Sequence, residues 1–174
     1  MRTALAFVTI ALIACSTGAY AQSPSNRPTR RDTTRVVFVC EHGSVKSMIA
    51  ATLFNRLAAE RGLAARAVSR GTRPDSVIPQ LVRDGLHADG ADIGDVRPRG
   101  FGAAEARTAS LLVTFDVELP SPVAGVPLRR WDGTPSVMKA YPLGRAAIAS
   151  RVRTLVSELE RQSAGRPARR TRLR

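Results

Sequence analysis

Of the 27 basic residues in this 174-residue chain only two, Lys46 and Lys139, are lysines. Cysteine occurs twice, as Cys15 and Cys40, and histidine twice, as His42 and His87. Aromatic residues make up only 5% of the chain. Each shortage excludes something. With one cysteine beyond the first 21 residues, a disulfide framework cannot form. Two separated histidines and that cysteine do not make a metal site. The few aromatics are not interleaved with the arginine-rich ends, so those ends lack the stacking surface of a nucleic-acid binder. The apolar run ALAFVTIALIA, residues 4–14, is too short to span a bilayer comfortably.

What remains is room for one globular domain with its own core, in a chain that is 44% hydrophobic. The net charge of +13 is unevenly placed. Residues 22–35 carry four arginines and one aspartate, and residues 161–174 carry six arginines and no acid. We read residues 22–33 as a basic linker and 161–174 as a basic disordered tail, either simply solvated or touching an anionic surface; nucleic acid is not expected. Residues 1–21 read as a signal peptide: Arg2, the apolar run, then Ala19-Tyr20-Ala21 as a cleavage site before Gln22. Leu12-Ile13-Ala14-Cys15 offers a lipobox alternative, in which Cys15 is lipidated, and an uncleaved anchor is a third option. Every route exports the protein to the periplasm or envelope. A lone thiol there is a liability unless it is buried or used.

Val36–Val39 is a continuous β-branched and aromatic run, the pattern of a strand central to a parallel sheet. Residues 44–61 switch to helical spacing, with Ile49, Leu53 and Leu57 on one face and Gly62 as the stop. Residues 65–69 form a weaker strand. Asp75 or Ser76 is placed to cap a helix carrying Ile78, Leu81, Val82 and Leu86. Residues 110–115 and 126–131 read as strands, and Ile148, Val152, Leu155, Val156 and Leu159 mark the last helix. Strands alternating with helices indicate an α/β parallel sheet, whose ligands bind beyond the carboxyl ends of the strands. Cys40 stands at such an end.

The loop from Cys40 to Ser47, CEHGSVKS, joins a strand to a helix. Its backbone N–H groups and the helix dipole suit a tetrahedral oxyanion. The same field favours thiolate over thiol in a cysteine at its start. Gly43 takes a positive φ without strain, Ser47 is within reach of the sulfur, and Lys46 adds a full charge expected to lie back over the loop. These parts place a nucleophile against a phosphate-like group. His42 either pairs with the thiolate or points outward, and a tight loop favours the outward position.

VVFVCEHGSVKSMIAATLFNRLA resembles the phosphate-binding loop and first helix of the low-molecular-weight protein tyrosine phosphatases and related arsenate reductases, with their apolar strand, C-x5-R-S/T and helix. A weaker likeness runs through SRGTRP, GADIGDVRPRGF, SLLVTFD and WDGTP to the final helix, covering roughly residues 34–160. The resemblance implies a flavodoxin-like three-layer sandwich with a four-stranded parallel sheet and the phosphate-binding loop after strand 1. It implies no cofactor or metal. It implies that Cys40 attacks phosphorus to form a phosphocysteine while a distant aspartate protonates the leaving group. The implied catalytic set is Cys40, Lys46, Ser47 and Asp132, and the oxyanion-binding set is Glu41, His42, Gly43, Ser44, Val45 and Lys46. Three residues depart from the family pattern. Lys46 replaces an arginine, Gly43 an asparagine, and Thr134-Pro135 the Asp-Pro pair that carries the acid. Asp132 is the nearest aspartate; otherwise Thr134 occupies the acid's place. The expected activity is hydrolysis of phosphotyrosine-like or aryl phosphate monoesters. The alternatives are arsenate reduction finished by an external thiol, since no cysteine follows Cys40, and an oxyanion-binding envelope protein with weakened turnover.

Overall fold

Val36, Val37, Phe38 and Val39 have no measurable exposure, and Cys40 retains only 6%. They form β1 (Thr34–Cys40), which is hydrogen-bonded along both edges, to β2 (Ala65–Gly71) and to β3 (Leu111–Thr114). The computed structural model describes residues 33–120, 123 and 125–165. The expected signal peptide with Cys15, all of the basic linker but Thr33, and residues 166–174 of the expected tail lie outside them. The remaining elements are α1 (Lys46–Glu60), α2 (Gln80–Ala88), α3 (Ala103–Thr108), β4 (Leu128–Arg130) and α4 (Tyr141–Ala164).

The four strands are parallel in the order β2-β1-β3-β4, the flavodoxin-like α/β arrangement. The order reverses between β1 and β3, so the carboxyl end of β1 opens at a topological switch point. Successive β1 side chains serve opposite faces. Val36, Phe38 and Cys40 join the larger core with α1, α2 and α4; Val37 and Val39 join Leu112 on the other face. That second face is thinly covered, by connecting residues such as Phe101, Val117, Leu119 and Val126, and α3 buries none of its residues. On the thick face Phe38 lies 6.0 Å from Phe54, 6.2 Å from Phe115 and 5.5 Å from Trp131 between ring centroids. Phe38, Phe115 and Trp131 sit just ahead of Cys40, Asp116 and Asp132, so one aromatic cluster anchors three loops.

Helix ends account for most departures from the expected spans. α1 starts at Lys46, not Ser44, because Ser44 and Val45 belong to the loop. It stops as expected at Gly62, whose φ of +62° suits glycine. α2 has no side-chain cap; it follows Pro79, and Asp75 is engaged elsewhere. Val82 and Leu86 are fully buried, Ile78 is buried ahead of the helix, and Leu81 is on the exposed side. α4 buries Ile148, Val152, Leu155, Val156 and Leu159. Nothing in residues 161–164 breaks a helix, so α4 runs four residues into the segment expected as tail and ends at Gly165.

β2 ends against the loop that follows β1. A Cβ on Gly71 would lie 2.7 Å from the carbonyl carbon of His42 and 2.8 Å from the Gly43 nitrogen, both backbone. At Gly102 a Cβ meets nothing within 4 Å. Gly71→Ala should therefore destabilise the protein by about 2 kcal/mol or more, against about 0.5 kcal/mol or less for Gly102→Ala. Urea denaturation checks this, and equal midpoints for the two variants would refute the close approach.

Candidate active site

At the turn between β1 and α1 four successive carbonyls, those of Cys40 to Gly43, are tied to the end of β2 and the connection after it. The N–H groups of Thr72, Arg73 and Asp75 donate to the carbonyls of Cys40, Glu41 and His42 at 3.1, 2.8 and 3.1 Å. The Ser69 hydroxyl donates to the Gly43 carbonyl at 2.8 Å. With the carbonyls drawn to the end of β2, the N–H groups turn to the concave side, at the amino terminus of α1. Gly43 makes this turn at φ +67°, and its N–H donates to Cys40 Sγ at 3.2 Å.

The Cys40 sulfur also lies 2.9 Å from Ser47 Oγ, which lies 2.8 Å from Ser69 Oγ. With Cys40 a thiol, protons can run from the sulfur through Ser47 and Ser69 to the Gly43 carbonyl. Ser47 is fully buried, so its bond to the sulfur is made away from water, where such bonds are stronger.

Cys40 opens into a cleft of about 210 Å³, lined also by His42 and Lys46 on the near side and by Asp116, Ser136 and Met138 on the far side. Lys46 does not lie back over the loop. It spans the cleft, donating from Nζ to Asp116 Oδ2 at 2.6 Å and to the Thr134 carbonyl at 2.9 Å. Asp116 sits at φ 52°, a conformation that costs a non-glycine residue energy. It is held there reciprocally: its N–H donates to Asp132 Oδ1 at 3.0 Å, and the Gly133 N–H donates to Asp116 Oδ1 at 2.7 Å. Burial works against the Asp116 charge. The Lys46 ammonium, the Gly133 N–H and the nearby Arg151 outweigh it and hold the carboxyl below the usual carboxylate range.

Cys40, Ser47, Lys46 and the loop residues Glu41, His42, Gly43, Ser44 and Val45 thus come together. Asp132 does not line the cleft; its carboxylate accepts from the Asp116 N–H and from Arg130. Thr134 is buried, and its hydroxyl donates to the Trp131 carbonyl at 2.8 Å while accepting from Arg151 at 2.9 Å. His42 points away from the sulfur, with Nδ1 3.1 Å from Asp75 Oδ1, and Glu41 pairs with Arg73. Ser69, Asp75 and Asp116 were missed from sequence. The available signal was position: each lies at or after the carboxyl end of a strand, where ligands bind in such sheets. Among the described residues no group of three or more His, Cys, Asp or Glu is placed to hold a metal ion.

Residues 35–126 match the model of the family described as low molecular weight phosphotyrosine protein phosphatase. Among solved structures, a thioredoxin-dependent arsenate reductase from Corynebacterium glutamicum is 25% identical, with a TM-score of 0.61 over 75% of this chain. This chain spans 63% of that protein's length. An arsenate reductase from Archaeoglobus fulgidus is 27% identical, with a TM-score of 0.55 over 70% of this chain and 98% of its own. YfkJ from Bacillus subtilis, at 18% identity, shares the fold with a TM-score of 0.67 over 75% of this chain and 96% of its own.

Because the native Asp116 carboxyl titrates below its unfolded value, its ion pair contributes stability above about pH 4 that fades as pH falls through the lower native value. Asp116→Asn should lower the urea midpoint at about pH 7, and the gap to wild type should close toward about pH 2–3. A gap that is the same at both ends would refute the pairing.

Proposed function

The chain belongs to the low molecular weight phosphotyrosine protein phosphatase family, and from that premise we propose that it hydrolyses phosphotyrosine-like or aryl phosphate monoesters through a phosphocysteine on Cys40. The observation that carries this reading is the sulfur itself. It is buried at the floor of a cleft, faces the N–H of Gly43 and the hydroxyl of Ser47, and sits at the amino end of α1. A sulfur held between these donors at the floor of a cleft is placed to attack a bound phosphoryl group. In the proposed reaction the phosphoryl oxygens occupy the N–H groups of residues 41–46, and the Cys40 thiolate displaces the leaving oxygen. Water then attacks phosphorus and returns the thiolate.

Lys46 supplies charge where the family pattern has arginine. An arginine grips two phosphate oxygens with a planar fork, whereas an ammonium acts as a point charge. Its pairing with Asp116 means that an arriving phosphate dianion competes for the same cation. Asp132, the residue expected to supply a proton, does not line the cleft, and Thr134 stands in the acid's place with its hydroxyl given to the Trp131 carbonyl. Export through the residues read as a leader belongs to the same proposal and rests on sequence alone.

Arsenate reduction is a second reading, favoured by the names of the two relatives at 25% and 27% identity. The chain has no cysteine after Cys40 to relay the oxidation, so an external thiol would have to complete it.

Hydrolysis of p-nitrophenyl phosphate by the reduced protein separates these. Cys40→Ser should abolish turnover, and Lys46→Met should lower kcat/KM by roughly 10²–10³-fold. Wild-type turnover no higher than that of Cys40→Ser, together with arsenate-dependent consumption of an added thiol, would replace the first reading with the second.

A further inference from the structure

The far wall of the cleft is built to hold a cation. Asp116 Oδ2 and the Thr134 carbonyl converge on one ammonium, that of Lys46, at 2.6 and 2.9 Å. Both acceptors are fixed from behind. Asp116 keeps its φ of 52° because its N–H donates to Asp132 Oδ1 and its Oδ1 accepts from the Gly133 N–H. Thr134 is buried, with its hydroxyl bonded to the Trp131 carbonyl and to Arg151. Beside these acceptors the cleft is lined by the apolar side chains of Val117, Val137 and Met138, of which Met138 is exposed at the mouth.

Two groups compete for Lys46. It opens α1 and lines the same cleft as Cys40, so a phosphoryl dianion on the loop N–H groups draws the ammonium, a point charge on a flexible stem, toward itself. Asp116 Oδ2 and the Thr134 carbonyl then lose their donor. The neighbouring arginines are engaged elsewhere. Arg151 gives its N–H groups to the Thr134 hydroxyl and the Asp132 carbonyl, Arg130 pairs with Glu118 and Asp132, and Arg73 pairs with Glu41. Lys139, next to Met138 in sequence, does not line the cleft. Asp116, ionised and with a side chain 39% exposed, then stands as an unpaired like charge in the cleft that holds the dianion, which is unfavourable.

We propose that the cleft selects phosphate monoesters whose organic group carries an ammonium, which replaces Lys46 at Asp116 Oδ2 and the Thr134 carbonyl while Lys46 goes over to the phosphoryl oxygens. The inference rests on the phosphatase reading and narrows its substrate class. One ion pair, Lys46 with Asp116, is exchanged for two: Lys46 with phosphate and the substrate's ammonium with Asp116. An ester without a cation forms only the first of these and leaves Asp116 unpaired. The apolar side chains beside Asp116 meet the organic group that carries the cation.

The test measures kcat/KM of the full-length reduced protein for 3- and 4-(aminomethyl)phenyl phosphate, each against its methylphenyl counterpart, in wild type and Asp116→Asn. At low salt the wild type should favour at least one ammonium ester by about 5-fold. Asp116→Asn should cancel that preference, whereas an effect of the ammonium on the leaving group itself would persist in the variant. Raising sodium chloride to about 500 mM should shrink the preference in the wild type, a reading that needs no variant to fold. Equal kcat/KM for both pairs in the wild type would overturn the inference. So would a preference that survives in Asp116→Asn or that salt leaves unchanged. In each of these cases Cys40-dependent turnover leaves the phosphatase reading standing. Absence of Cys40-dependent turnover of all four esters would remove the phosphatase reading and the inference with it.

Discussion

The chemistry of this protein depends on four backbone carbonyls facing the wrong way for a ligand. Cys40, Glu41, His42 and Gly43 give their carbonyls to Thr72, Arg73, Asp75 and Ser69, and only then do their N–H groups face inward. A carbonyl turned into the nest would repel any oxyanion, so the connection after β2 is as much a part of the site as the loop itself. The same requirement explains the missing side chains at Gly43 and Gly71, where two stretches of backbone pass too close for a Cβ on either. Burial makes the arrangement durable, because a loop carbonyl deprived of its partner would be left without a hydrogen bond.

Lys46 departs from expectation in an informative way. Sequence spacing puts it in the first turn of α1, from which it was expected to lie over the nest. It instead reaches Asp116 and the Thr134 carbonyl. The lysine therefore joins three segments far apart in sequence: the start of α1, the end of β3 and the connection after β4. An arginine in its place would bring a planar fork suited to two oxygens of one group. A lysine with freely rotating donors bonds a carboxylate and a carbonyl that lie in different directions.

The fold was legible because β1 and β3 are buried on both sides and α1 and α4 carry long apolar stripes. Val36–Val39 and the face from Ile148 to Leu159 contain enough apolar residues at fixed spacing to show their period. α3 was not legible: its six residues bury nothing, so they have no period to read. The helix expected from Asp75 starts five residues later because the capping carboxylate is spent on Ser44 and His42, contacts made across 31 and 33 positions of sequence. The loop Cys40–Ser47 could be read because its chemistry is local. The far wall could not, because which carboxylate faces the cleft, Asp116 or Asp132, is decided by hydrogen bonds between two loops that no spacing rule describes.

Arg151, halfway along α4, closes that far wall by holding the Thr134 hydroxyl and the Asp132 carbonyl. During synthesis the loop, its sulfur and the β2 connection that supports them all leave the ribosome before Arg151 does. The binding nest can thus be assembled while its opposite side is still unformed. The cleft becomes a cleft only when the last helix docks, which ties the finished pocket to a finished chain.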